Sequence, residues 1–327
     1  MSTTTRRDRP GPRPDLASIA DTLQAIETNV ESVLEGKPEV VRLALVVLMS
    51  EGHLLIEDVP GVGKTLLAKA LARSIDCSVQ RIQFTPDLLP SDVTGVTVYS
   101  PDTGEFEFRP GPVFANIVLG DEINRAGPKT QSALLESMEE RQVTIDGVTH
   151  ELARPFMVMA TQNPIELEGT YPLPEAQRDR FMMRVAIGYP HVDAELEILR
   201  THGQADPMAA LQPVTDAATV SETIVAIRGV HVAEAVERYV VALCRATRSH
   251  EEAELGASPR ASLALLRASR SYAAFQGRDY VVPDDVKALA PHVLPHRLIL
   301  RAEAQLAGRD PIAVVQDVLD GVPAPTE

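Results

Sequence analysis

The chain has 327 residues, of which 44% are hydrophobic and 24% charged, so it can bury the core of about two globular domains. Its 46 acidic and 31 basic residues give a net charge of −15, which disfavours nucleic acid as a partner because like charges repel. The longest apolar run, residues 40–49, is too short to span a bilayer and no targeting segment is found, so we expect a cytoplasmic protein without direct membrane insertion.

The order of the predicted elements divides the chain into an α/β part and a helical part. Residues 1–14 contain several prolines and are predicted to form a disordered tail. Residues 15–190 open with two helices and then alternate strands with helices, which is typical of a parallel sheet. Residues 191–327 carry apolar positions three and four residues apart, which predict a domain built of helices. The two cysteines, Cys77 and Cys244, have no metal-type spacing and are expected to be buried and reduced.

A strand, a tight turn and a helix follow one another between residues 53 and 74, as in a phosphate-binding loop. Gly61 and Gly63 can adopt positive φ, which lets backbone N–H groups converge on a phosphate. Lys64 would reach the β- and γ-phosphates of a nucleotide, and the Thr65 hydroxyl would bind Mg²⁺. Asp58 replaces the first glycine that such loops usually carry. The residues expected to contact the nucleotide are Pro60, Gly61, Val62, Gly63, Lys64, Thr65 and Leu66.

Two further predicted strands end in polar residues that suit the same site. The strand over residues 117–119 leads to Asp121, which can hold Mg²⁺, and to Glu122, which can polarise an attacking water as general base. Two acids after a strand also occur in ordinary surface turns, but their position downstream of the phosphate loop favours the catalytic interpretation. Asn163 follows the next strand and could orient the same water, although an Asn before a proline is also a common turn residue.

Arginines near two later elements are candidates for stabilising the charge that develops in phosphoryl transfer. Arg180 would be supplied to another subunit's nucleotide, a role that is worth about 10³–10⁵ in rate. Arg178 or Arg125 is the alternative for that role, and a salt-bridged helix face would explain Arg180 or Arg178 without catalysis. Arg260 begins a helix that Ser258 can cap, so it either points across to a bound phosphate or lies on the surface.

Two predicted β-hairpins interrupt the alternation of strands and helices. The first covers residues 96–108, and the second covers residues 142–151 with an Asp-Gly turn of the type that favours hairpins. Phe106 and Phe108 alternate with acids on the first hairpin, so we expect an exposed surface that contacts a client or partner. The alternative is that both rings pack into the local sheet.

These segments together resemble the AAA+ ATPases, and specifically the MoxR family. The matching stretches are residues 57–65, 121–126, 160–164, 168–177, 179–181 and 256–260. The resemblance implies a P-loop nucleotide-binding domain with a parallel sheet, followed by an all-helical lid domain. The roles that it implies are Walker A for the phosphate loop, Walker B for Asp121 and Glu122, sensor 1 for Asn163, an arginine finger for Arg180 and sensor 2 for Arg260. The resemblance also implies that an Asp at position 58 is a feature of the family.

The same resemblance implies Mg²⁺-dependent ATP hydrolysis by a ring, expected to be a hexamer, that remodels a client protein. MoxR-like ATPases are associated with partners that carry von Willebrand factor A domains and with maturation or metal insertion in enzyme complexes. One alternative is a nucleic-acid-associated motor of the same clade, but the acids of the two hairpins outnumber the basic residues such a motor would need. The other is a nucleotide-binding scaffold, which would need a broken Walker B or sensor motif, and none is broken.

Overall fold

The computed structural model describes residues 16–163, 171–190, 192–193, 195–196 and 207–325. Four predictions fall wholly or partly outside these residues: the tail over residues 1–14, the first helix of the second domain over residues 194–200, the end of the family motif over residues 160–164, and the start of the one over residues 168–177. No helix in the described part of the chain is long and apolar enough to cross a membrane.

In the described chain, strands and helices are mixed up to residue 185, whereas the residues from 207 onward are mostly helical. The strands are β1 (Leu54–Glu57), β2 (Val79–Gln83), β3 (Gly95–Ser100), β4 (Glu105–Pro110), β5 (Ile117–Asp121), β6 (Gln142–Ile145), β7 (Val148–Glu151), β8 (Met157–Gln162), β9 (Met183–Val185), β10 (Ala253–Leu255) and β11 (Ile299–Leu300). The helices are α1 (Leu16–Glu31), α2 (Pro38–Met49), α3 (Lys64–Ser74), α4 (Pro90–Thr94), α5 (Pro128–Glu140), α6 (Glu175–Arg178), α7 (Pro207–Ala210), α8 (Ala217–Ile227), α9 (Glu234–Ser249), α10 (Pro259–Phe275), α11 (Pro283–Val293), α12 (Ala302–Leu306) and α13 (Pro311–Gly321).

The centre of the α/β part is a five-stranded parallel sheet, which confirms the predicted fold class. Its strands are hydrogen-bonded in the order β2-β5-β8-β1-β9, so the strand before the phosphate loop lies beside the strand that leads to Asn163. Strand β5, which leads to Asp121 and Glu122, is the next one along. Since carboxyl ends of parallel strands meet at one edge of a sheet, this order brings the ends of β1, β5 and β8 together.

Alternate side chains along the central strands enter two different cores, as the pleat of a β-strand requires. Leu54 and Ile56 of β1 belong to a core that includes residues of α1, α2 and α3, whereas Leu55 belongs to one that includes residues of α5. Strand β5 repeats the pattern, with Val118 in the second core and its neighbours in the first. Apolar burial on both faces is typical of a parallel sheet.

Both predicted hairpins are confirmed. Strands β3 and β4 pair antiparallel, as do β6 and β7, and the turn between the latter places Asp146 and Gly147 at φ 51° and 80°. Positive φ at both central residues is the conformation that an Asp-Gly turn favours. Elements that the sequence did not predict include the short helix α4, the short edge strand β9, and an antiparallel ribbon of β10 and β11 among the lid helices.

The helical lid packs against the two N-terminal helices of the α/β part. Buried side chains of α8, α9, α10 and α11 join those of α1 and α2 in one continuous core. Hydrogen bonds add to this contact: Asn29 Nδ2 donates to the carbonyl of Gln212 at 3.0 Å, and the hydroxyls of Ser50 and Ser271 lie 2.7 Å apart. Helix α10, which carries Arg260 in its first turn, is therefore fixed relative to the sheet.

Candidate nucleotide-binding site

The phosphate loop has the backbone that its glycines were expected to allow. Gly61 and Gly63 have φ of 87° and 99°, and Gly63 is the residue that caps the N-terminus of α3. This backbone conformation requires glycine, and a Cβ atom at Gly63 would also lie only 2.9 Å from the Leu34 side chain, which would have to shift. Backbone N–H groups at the start of α3 consequently face the loop opening, where the helix dipole favours an anion.

Asp58, which replaces the usual first glycine, fixes the start of the loop. Its Oδ1 accepts a hydrogen bond from the Val59 N–H at 2.8 Å, and its Oδ2 accepts one from the Gly188 N–H at 2.5 Å. The second bond ties the loop to the chain that follows β9. The carboxylate therefore has a structural role that explains why an acid, rather than a glycine, stands here.

Lys64 is the cation of the loop. Its Nζ donates to the backbone carbonyl of Asp58 at 2.5 Å. Partial burial lowers the pKa of Lys64 from its ordinary value, because the loss of hydration outweighs the attraction of the carboxylates of Asp58, Asp121 and Glu122. A phosphate would give this ammonium a charged partner, and such hydrogen bonds are roughly twice as strong as neutral ones.

The loop and the strand ends enclose one cavity of about 420 Å³. The residues that line it are Pro60, Gly61, Gly63, Lys64, Thr65, Leu66, Arg81, Gln83, Asp121, Glu122 and Asn163. Its volume lies within the range of small-molecule sites. Of the residues expected to contact the nucleotide, Val62 is the exception, because its side chain is buried in the first core. Only the backbone of Val62 is left to contribute to the loop.

Asp121 is held by partners on both of its carboxylate oxygens. The Thr161 hydroxyl donates to Oδ1 at 2.5 Å, and Arg81 forms an ion pair with Oδ2 at 2.6 Å. The Arg81 side chain is half exposed, so this ion pair contributes little to stability and can be exchanged for another cation. Carboxylate and hydroxyl oxygens are the ligands that Mg²⁺ prefers, and Asp121 and Thr65 supply one of each in the same cavity.

Glu122 sits in a left-handed backbone conformation with φ 58°, which costs about 1 kcal/mol or more for a residue other than glycine. Its N–H donates to the Thr161 hydroxyl at 2.9 Å, which helps to hold that conformation. Its Oε2 accepts hydrogen bonds from Gln83 Nε2 and Arg125 Nη1, both at 2.9 Å. The carboxylate is thus directed into the cavity and held there by two donors.

Arg81, Gln83 and Thr161 were not among the residues selected from the sequence. The one available signal lay in β2, where Arg81 and Gln83 are two residues apart and so lie on the same side of the strand. The register sets Gln83 opposite Asp121, which brings both polar side chains beside the strand-end acids. That inference needs the strand order, which a single sequence does not supply.

Arg180 and Arg260 come together in a second cavity, of about 260 Å³, where both form ion pairs with Glu139. Arg180 Nη2 lies 3.1 Å from Glu139 Oε2, and Arg260 Nη2 pairs with the other oxygen. Among the described residues, none lines both this cavity and the one at the phosphate loop. The structure therefore does not bring either arginine to the chain's own phosphate loop.

The two other arginines considered for the finger role have different surroundings. Arg125 pairs with Glu122 of the same chain, so it belongs to the first cavity. Arg178 lies in α6, and its Nε is buried without a hydrogen-bond partner among the residues described. Neither of them lines the cavity that holds Arg180 and Arg260.

Comparisons with known proteins agree with this architecture. A family model described as "ATPase family associated with various cellular activities (AAA)" matches residues 53–183, and one described as "AAA lid domain" matches residues 245–318. The chain is 49% identical over 304 residues to YeaC, an uncharacterised protein of Bacillus subtilis, with 93% of this chain and 95% of YeaC covered. It is 45% identical over 325 residues to the chaperone MoxR1 of Mycobacterium tuberculosis, with coverages of 97% and 86%.

A solved structure gives the same result. The crystal structure of a candidate ATPase from Cytophaga hutchinsonii superposes with a TM-score of 0.90 and 40% sequence identity, over 95% of this chain and 97% of that one. Because these similarities include both the α/β part and the lid and extend along nearly the whole chain, the chain belongs to the MoxR family of AAA+ ATPases.

Proposed function

We propose that this AAA+ ATPase uses Mg²⁺-dependent ATP hydrolysis at the first cavity to remodel client proteins. The observation that carries the proposal is the convergence of Lys64, Asp121 and Glu122 on one cavity. A phosphate-binding cation, a carboxylate for the metal and a second carboxylate for the attacking water are the groups that phosphoryl transfer to water requires.

Each side chain has a separate task in this mechanism. The loop N–H groups and Lys64 bind the β- and γ-phosphates, while Thr65 and Asp121 would hold Mg²⁺, which would neutralise charge on the phosphate oxygens. Glu122 accepts the proton of the water that attacks the γ-phosphorus as the bond to the bridging oxygen breaks, and Asn163 orients that water. Gln83 and Arg125 both donate to Oε2 of Glu122, so the proton goes to the other carboxylate oxygen, Oε1.

Arg180 and Arg260 complete the site from a neighbouring subunit in a ring, which we propose to be a hexamer. This proposal is supported by the position of the two guanidinium groups, which share a cavity away from their own phosphate loop and could therefore bind the γ-phosphate of another chain. There they would stabilise the charge of the transition state, the role of an arginine finger supplied in trans. A head-to-tail contact of this kind generates a ring when the rotation between successive subunits adds up to a full turn.

We further propose that the ring acts in the cytoplasm on proteins rather than on nucleic acid. Its net charge of −15 disfavours a polyanion, and its relative MoxR1 is named a chaperone. A partner with a von Willebrand factor A domain, and a client complex that is matured or loaded with metal, are the proposed protein contacts. Hairpin β3–β4 offers a surface for them, because the Phe106 side chain is exposed there.

Two substitutions test the assignment of the first cavity. Lys64→Ala should abolish ATP binding, since the ammonium is the loop's charged ligand, and Glu122→Gln should bind ATP but hydrolyse it very slowly, since an amide cannot accept the water's proton. Fluorescent nucleotide titration and phosphate release measure the two steps. Lys69→Ala, an exposed lysine on the same helix α3, is the matched control and should behave as wild type. Tight ATP binding by Lys64→Ala, or turnover within about threefold of wild type by Glu122→Gln, would refute the assignment.

A further inference from the structure

One carboxylate joins the two arginines that come from different parts of the chain. Glu139 lies one residue before the end of α5, Arg180 follows α6, and Arg260 is in the first turn of the lid helix α10. Each oxygen of Glu139 binds one guanidinium: Oε2 binds Arg180 at 3.1 Å, and Oε1 binds Arg260. The carboxylate between the two guanidinium groups offsets their mutual repulsion.

Asp179 connects the same two segments a second time. Its Oδ2 accepts a hydrogen bond from the Ser258 hydroxyl at 2.9 Å, and that hydroxyl in turn accepts the Arg260 N–H at 3.1 Å. Its Oδ1 pairs with the buried Arg297 at 2.7 Å. The residue before Arg180 therefore holds the N-terminal cap of the helix that carries Arg260. Asp179 fixes the two backbones relative to each other, and Glu139 fixes the two guanidinium groups.

The exposure of these side chains indicates what Glu139 contributes. The Arg180, Glu139 and Arg260 side chains are 29%, 38% and 45% exposed, and ion pairs at that exposure contribute little to stability. The effect of these ion pairs on catalysis can be much larger than their effect on stability, because a misplacement of about 1 Å at a reacting group can lower the rate by about 10². Glu139 is therefore expected to matter for the orientation of the two arginines far more than for folding.

We propose that Glu139 is a positioning residue that holds Arg180 and Arg260 as a pair for the γ-phosphate of a neighbouring subunit. This inference rests on the proposed function, in which both arginines act in trans. In the ring the phosphate oxygens, which carry more negative charge than a carboxylate, become the second partner of each guanidinium. Glu139 itself does not contact the nucleotide of its own chain, because it does not line the first cavity.

Single variants give the first readout. Glu139→Gln should lower kcat about tenfold because the uncharged amide no longer holds two cations, while the KM for ATP stays within about threefold. Glu139→Asp, which keeps the charge, should restore part of kcat. The melting temperature should change little in either variant. Glu140→Gln is the matched control, since Glu140 is an exposed acid on the same helix, and it should leave kcat unchanged.

Mixed rings give the second readout, which a general structural defect would not reproduce. Glu139→Gln protomers keep their own base, and Glu122→Gln protomers keep a correctly held pair of arginines. Their equimolar mixture should recover about a quarter of wild-type activity, because one interface in four joins an intact base to intact arginines. A mixture of Glu139→Gln with Arg180→Ala should recover nothing, because both variants fail in the arginines they present. Arg180→Ala mixed with Glu122→Gln is the positive control and should recover as the first mixture does.

The possible results distinguish a failure of the Glu139 role from a failure of the proposed function on which it rests. Wild-type kcat in Glu139→Gln would overturn the role of Glu139. Recovery in the Arg180→Ala control without recovery in the Glu139→Gln mixture would also overturn it, while leaving the arginines in trans. No recovery in the Arg180→Ala control, in rings shown to contain both variants, would overturn the inference together with the trans site.

Discussion

His53, at the start of the phosphate strand, is buried and uncharged. Its Nδ1 accepts a hydrogen bond from the Val158 N–H at 2.9 Å, so its Nε2 carries the proton and donates to the Met138 carbonyl at 3.0 Å. Burial lowers the pKa of His53 to about 4, because a charged imidazole would lose its hydration there. The histidine thus joins β8 to α5, the helix that carries Glu139, only while it is neutral.

The low pKa of His53 makes stability sensitive to acid. The unfolded histidine has a pKa near 6.5, so the unfolded state binds more protons between pH 6.5 and about 4, and the stability present above pH 6.5 is lost as the pH falls. Between pH 7 and pH 5 this residue should lower the free energy of unfolding by about 2 kcal/mol. Urea unfolding at the two pH values measures the loss, which His53→Gln should reduce by that amount. The exposed His231→Gln control should lose as much as wild type, and an equal loss in all three proteins would contradict the prediction.

Residue roles that depend on local order were predictable, and those that depend on strand order or helix packing were not. Lys64 and Glu122 were identified because a glycine turn before a helix and an acid after a buried strand are patterns of neighbouring residues. Arg81 reaches Asp121 only because β2 lies beside β5, and Glu139 meets Arg180 only because of how α5 and α6 pack. No sequence pattern distinguishes Glu139 from the other acidic residues among the 46 in the chain.

At the scale of elements, hairpin β3–β4 divides its aromatic residues between two environments. Phe106 is 73% exposed and meets Tyr99, its partner across the hairpin, edge to face at 5.4 Å. Phe108 stacks on His150 of the second hairpin at 4.1 Å and meets Phe114 edge to face at 5.5 Å. Phe106 is therefore exposed, as expected of a contact surface, whereas Phe108 is packed, as the alternative interpretation had it. The turn residues predicted the hairpins, but the contact between them depends on tertiary structure.

This division predicts opposite results for two otherwise similar substitutions. Phe108→Ser should lower the melting temperature by about 4 °C or more, because it removes the stacked contact that joins the two hairpins. Phe106→Ser should change the melting temperature little and leave basal ATPase activity intact, because its ring faces solvent. Thermal melting and phosphate release measure both variants. Equal destabilisation by the two substitutions would mean that the Phe106 ring is also packed, and would remove the argument for a contact surface at this hairpin.

At the scale of the whole molecule, an acidic chain concentrates arginines at the junction between sheet and lid. Arg141 and Arg228, one from each part, both pair with Glu51, and Arg267 lines the same cavity as Arg260. The predicted order of an α/β part and a helical lid gave no indication of this junction, because the packing of α10 against α2 sets it. Among the described residues, this face has five arginines and three acids around the cavity that holds Arg180 and Arg260, a local basic excess that suits the proposed contact with a phosphate of another copy.

That face predicts how activity depends on assembly. A monomer contains Lys64, Asp121 and Glu122 but not a neighbour's Arg180, so ATPase activity per protomer should rise with protein concentration until rings are complete, and then remain constant. Light scattering on the same samples should place the rise at the concentrations where the mass grows from one protomer to the ring. Arg180→Ala should assemble over the same range without the rise in activity, since its rings lack the finger. Constant activity per protomer across a transition that light scattering shows to be assembly would mean that each chain holds a complete site, and would contradict the trans arrangement.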